Sequence, residues 1–143
     1  MENDNIKLLR ECDAGVEMGI SSIDDVIPFV KSYAFKQLLT VCKEEHEKLE
    51  REIRVLLRSK SDEGKDPSTM AKGMSWFKTN MKLAIDQSDS TVADLMTDGC
   101  NMGVKSLSKY LNEYEDADEI AKDIAKRLIN LEERLAIDIR GYL

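Results

Sequence analysis

The chain has 143 residues, with 21 Lys and Arg against 28 Asp and Glu, for a formal net charge of −7. Its 42% hydrophobic and 34% charged residues describe one globular domain over residues 1–143, since domains usually run about 100–200 residues. A pI of about 4.8 with no Lys/Arg block excludes nucleic acid as the main partner and disfavours a membrane surface, because both need a cationic face. No apolar run approaches the ~20 residues of a membrane span. The acidic, amphipathic start MENDNIKLLRE is unlike a secretory signal.

Apolar residues recur at helical spacing, and no stretch alternates as a strand would. A first helix is predicted over about residues 3–25, with Leu9, Cys12, Val16, Ile20 and Ile23 on one face. Pro28 marks a boundary. A second helix spans about 30–60 and carries Ala34, Leu38, Val41, Cys42, Leu49, Ile53 and Leu56. The polar run at 59–68 (SKSDEGKDPS) is a loop. Ser68 or Asp66 then caps a shorter helix to about Ile85, with Met70, Met74, Phe77, Met81 and Ala84. Ser90 is read as the cap of a third main helix to about Asn112, with Val92, Leu95, Met96, Gly99, Met102, Gly103 and Tyr110. The last helix runs from about Asp118 to Gly141, with Ile120, Ile124, Leu128, Leu131, Leu135 and Ile139 in register. The two short connections make their flanking helices antiparallel neighbours, and the long one is a crossover between the second and third main helices. Cys12, Cys42 and Cys100 are odd in number, form no CxxC motif and fall near apolar stripes. They read as reduced, packed thiols of a cytoplasmic protein.

Two segments match at a constant offset. Residues 15–23 (GVEMGISSI) align with 99–107 (GCNMGVKSL), pairing Gly15 with Gly99, Met18 with Met102, Gly19 with Gly103 and Ser22 with Ser106. A glycine inside a helix costs about 1 kcal/mol relative to alanine, so two such pairs need a compensating contact. Close approach of the first and third helices is the expected reason.

With CDAGVEMG in the first helix, FKQLLTVCKEEHEKLEREI in the second, MSWFKTNMKLAI in the crossover and DGCNMGVKSLSKYL in the third, the chain resembles the ferritin-like superfamily. The nearest likeness is to small bacterial ferritin-like proteins of unknown function, distantly similar to rubrerythrin and bacterioferritin. The resemblance implies an all-α, up-down-down-up four-helix bundle with an extra short helix in the crossover. It also implies a di-iron site built from one Glu on each of two helices and a Glu-x-x-His on each of the other two.

The ligand set is incomplete. Glu17 stands where the first-helix Glu belongs, but its repeat partner is Asn101, and Asp98 is one turn off. A Glu-x-x-His ending at His46 needs Glu where the chain has Lys43. Glu45 interrupts the stripe Leu38, Val41, Leu49 and is adjacent to His46, pointing about 100° away from it. Glu132 is available in the fourth helix, yet Leu135 stands three residues on. Plain alternatives are a half-buried Glu17 bonded to Asn101 or a serine, and a solvated or hydrogen-bonded His46. No GxSxG, P-loop, GxGxxG or HExxH motif is present. The leading expectation is a non-catalytic protein with a degenerate metal site and no cofactor. It would act by partner binding or self-association, as a homo-oligomer such as a dimer. The other expectation is a divergent di-metal carboxylate protein handling iron or peroxide, with metal ligands among Glu17, Glu45, His46, Asp98 and Glu132.

Overall fold

The computed structural model describes residues 3–59 and 86–143, and all regular structure among them is helical. The main helices are α1 (Asp4–Val26), α2 (Tyr33–Ser59), α3 (Asp89–Glu113) and α4 (Glu119–Asp138), with 3-10 turns at Ile27–Phe29 and Arg140–Tyr142. The short helix expected before Ile85 lies outside the described residues.

Helix starts leave backbone N–H groups without partners, and side-chain oxygens take them up. Asn3 accepts from the Ile6 N–H, Ser88 from the Thr91 N–H and Asp118 from the Ala121 N–H. The cap of α3 is therefore Ser88, two residues before the expected Ser90. The intervening Asp89 works at longer range. Its carboxylate accepts from the N–H groups of Lys31 at 2.7 Å and Ser32 at 2.9 Å, tying the start of α3 to the start of α2. Ser32 Oγ in turn accepts from the Phe35 N–H at 3.2 Å.

Side-chain pairs fix the helix directions. Lys43–Asp24 and Arg54–Asp13 make α1 and α2 antiparallel. Arg127–Glu52 and Arg134–Glu45 do the same for α2 and α4. Gly15 lies against Leu128 and Gly19 nearest His46 and Glu132, so α1 and α4 run together. The Asp116 N–H donates to Asp4 at 3.1 Å, and the Asn5 amide donates to Asp118 at 3.0 Å. The end of α3 is thus at the start of α1. Hence α1 and α4 point one way and α2 and α3 the other, and Ser59 and Asp86 lie at opposite ends of the packed helices.

The core falls into two apolar clusters. One holds Leu8, Leu9, Val16, Leu49, Ile53, Leu57, Ile124 and Leu128. The other holds Ile23, Phe35, Leu39, Cys42, Val92, Met96, Cys100, Leu135 and Ile139. Between them, at one level, stand His46 and Glu132. The first half of the α2 stripe is shifted by one residue from the expected one: Phe35, Leu39, Cys42 and His46 are buried, while Ala34 and Val41 face outward. Both rows read as apolar at helical spacing, and the larger Phe35 and Leu39 take the inside, where they remove more apolar area from water. No helix among the described residues is long and apolar enough to cross a membrane.

Candidate functional site

The layer between the two clusters is polar. His46, 1% exposed, extends from α2 into the centre. Its Nδ1 lies 2.8 Å from the Cys42 carbonyl oxygen, and its Nε2 lies 2.8 Å from Glu132 Oε1 on α4. A carbonyl can only accept, so Nδ1 donates to it, and the raised pKa of the ring puts the proton shared with Glu132 on Nε2 as well, making an imidazolium. Burial alone pulls its pKa down. The contacts with the Cys42 side chain and with Glu132, and the Glu132 charge, outweigh burial and hold it up at about 10. The Cys42 thiol sulfur is 3.6 Å from Nδ1.

Cys100 borders the same layer. Burial, then the Glu132 charge, pushes its thiol far above the ordinary value. Cys12, deeper in the first cluster, is pushed up to about 12 by burial and by Glu11 and Asp13. All three cysteines are free and buried, as expected of packed thiols, and at Cys12 and Cys100 the raised pKa withholds the nucleophilic thiolate.

Gly19 makes room for this layer. A Cβ at Gly19 would stand 2.7 Å from His46 Nε2 and 2.8 Å from its Cδ2. At Gly103 it would stand 3.5 Å from Glu132 Oε2, and at Gly15 3.5 Å from Leu128 Cδ2. The one close approach is therefore Gly19 to the His46 side chain from α2, and what Gly15 and Gly103 meet, at ordinary distance, are side chains of α4 rather than the backbone of a facing helix. A cavity of about 40 Å³ remains beside them, bordered by Met18, Ser22, Cys100 and Glu132. That volume suits one or two waters.

A second polar group lies between α1 and α2. Ligand oxygens of Asp13, Glu17 and Glu50 lie within 4.8 Å of one another. Asp13 is 1% exposed. Arg54 already serves the three: it donates to Glu17, lies 3.3 Å from Glu50, and its Nε is 3.6 Å from Asp13. Burial raises the Glu50 pKa; Arg54 opposes that, and Glu17 and Asp13 add to it.

Of the five candidate ligands, the structure brings His46 and Glu132 together. Glu17 belongs to the Arg54 group, while Asn101 is exposed on α3. Glu45 is half-exposed and reaches Arg134 at 3.7 Å. Asp98 is exposed. Asp13, Glu50, Arg54, Cys42 and Cys100 join the two polar groups without having been singled out as site residues. A signal existed for Asp13, a charged residue beside Cys12 within the apolar row of α1. Another existed for Glu50 and Arg54, four apart on α2.

No family model, no curated protein and no solved structure matches the chain.

Proposed function

We propose that the chain is a ferritin-like helical bundle whose metal site has degenerated, and that it acts by binding a partner or a second copy rather than by catalysis. The observation that carries the proposal is the His46–Glu132 pair. A metal takes a neutral imidazole nitrogen and a free carboxylate. Here both ring nitrogens donate to oxygens, and one Glu132 oxygen accepts from the ring. Glu17, the other carboxylate at a family position, is spent on Arg54. Two fixed cations, His46 and Arg54, therefore already neutralise the carboxylates that iron would need. The shared direction of α1 and α4, opposite to α2 and α3, supports the ferritin-like part of the proposal.

One observation favours the alternative of a divergent carboxylate metal protein: three acidic oxygens converge at Asp13, Glu17 and Glu50. Loading that group would require Arg54 to swing out. Elemental analysis of protein from iron-supplemented cells decides between the two, with Glu17→Ala and Glu132→Ala as controls. The expected result is well under one iron per chain in all three. About two irons per chain, the stoichiometry of a di-iron bundle, lost in either variant, would overturn the proposal in favour of iron or peroxide chemistry.

A further inference from the structure

We propose that Cys42 is a modification site, where a hydroperoxide oxidises the thiol to a sulfenic acid beside the charged ring of His46. The proposal goes beyond the binding role above and does not depend on it.

The geometry distinguishes Cys42 from the other two cysteines. Cys42 and His46 are four apart on α2, so they share one helix face. The Cys42 Sγ lies 3.6 Å from His46 Nδ1. Glu132 meets the ring at the other nitrogen, Nε2. The sulfur is therefore at the end of the ring away from the carboxylate, nearer the cation than its counter-charge. Negative charge that develops on the sulfur during attack is stabilised there. The attraction is mutual: against the pull of burial, contact with the Cys42 side chain helps to keep the ring charged. Cys100 has the opposite neighbour, since burial and then the Glu132 charge work against a thiolate. At Cys12 burial, Glu11 and Asp13 do the same.

Access separates the three in the same order. Cys12 and Cys100 are 0% and 1% exposed, whereas Cys42 is 8% exposed. Cys42 also lines a groove of about 200 Å³ between α2 and α4, with Leu38, Glu45, Leu131 and Arg134. Hydrogen peroxide is little larger than water and reaches such a sulfur; a bulky thiol reagent does not. Oxidation follows thiolate character and exposure together, and Cys42 leads in both.

The step balances within the two reactants. The sulfur attacks one peroxide oxygen, an S–O bond forms and the O–O bond breaks. Sulfur is oxidised and the peroxide reduced. The thiol proton leaves on the departing hydroxide, so thiol and hydrogen peroxide give sulfenic acid and water.

The test treats the folded full chain with hydrogen peroxide and removes the excess with catalase. Dimedone then traps sulfenic acid as the chain is unfolded, and peptide mass spectrometry reads each cysteine. Cys42 should form the adduct at least about tenfold faster than Cys12 or Cys100. In urea the three should react at one common rate, which assigns the preference to the fold. His46→Leu with Glu132→Leu removes the cation and its counter-charge together and should slow Cys42 about tenfold, with circular dichroism confirming the helices. Oxidation spread evenly over the three cysteines of the folded chain overturns the proposal. So does a Cys42 left intact over the time in which the chain in urea is oxidised. An unchanged Cys42 rate in the folded double variant overturns the part assigned to the ring.

Discussion

Gly19→Ala tests whether the glycine exists to house the histidine. The new methyl would meet His46 Nε2 at 2.7 Å and Cδ2 at 2.8 Å, closer than a real Cβ contact allows. A ring held at one nitrogen could turn aside, but this ring is held at both, by Cys42 and by Glu132. Relief therefore means breaking the buried pair, which costs about 3–5 kcal/mol when one charge loses its partner. Alanine returns about 1 kcal/mol through helix propensity, so the variant should lose about 2–4 kcal/mol. For a chain of this size that is a fall of about 6–12 °C in Tm. Gly103→Ala is the internal control, since its methyl meets Glu132 at an ordinary 3.5 Å. That variant should be unchanged or up to about 1 kcal/mol more stable. Urea denaturation followed by circular dichroism reads both. If Gly19→Ala proved as stable as Gly103→Ala, the claim that His46 is locked at both nitrogens would be refuted.

Further predictions concern charge and capping. The His46 pKa is raised from 6.5 to about 10, so the folded state holds the extra proton between those values. The pair's stabilisation is then complete below pH about 6.5 and fades as pH rises through about 10, so the urea midpoint should fall across that window. The double variant His46→Leu with Glu132→Leu should lose that slope and stay within about 1 kcal/mol of wild type or above it, whereas Glu132→Leu alone should lose about 3–5 kcal/mol. Asp89→Ala removes the acceptor for two N–H groups and should cost about 1–2 kcal/mol by the same denaturation assay. Arg54→Ala leaves Asp13, Glu17 and Glu50 facing one another, so it should destabilise at neutral pH and recover as acid protonates the carboxylates, measured as Tm against pH. Cys12, Cys42 and Cys100 should resist a thiol reagent until the chain is unfolded, when all three should label.

The four helices were legible because amphipathic periodicity is repeated many times along each one. Caps and faces were less so. Ser88 and Ser90 both lie before the apolar row of α3, and the Thr91 N–H donated to Ser88 Oγ shows which of them caps the helix. On α2 the rows beginning at Ala34 and Phe35 were both apolar up to residues 45 and 46, where one reaches Glu45 and the other His46. Choosing the wrong row exchanged the exposures of those two residues: Glu45 is half-exposed and His46 is buried. A buried histidine is legible only through its partners, and Glu132 lies 86 positions away in the chain. The Arg54 group was hidden for a similar reason, since Asp13 and Glu17 come from a different helix.

The matched glycine segments acquire a physical meaning at the centre of the helices. Gly19 on α1 gives its space to His46 on α2, while Gly103 on α3 lies at ordinary contact distance from Glu132 on α4. Each hairpin thus offers a glycine on its first helix and a polar side chain on its second, and the two polar side chains meet each other. Like carboxylates at this level would repel within a core of low polarity and would need a shared proton or a bound cation to coexist. An imidazolium on one side and a carboxylate on the other satisfy the same layer from within the chain. This pair ties α2 to α4 by a bond between side chains.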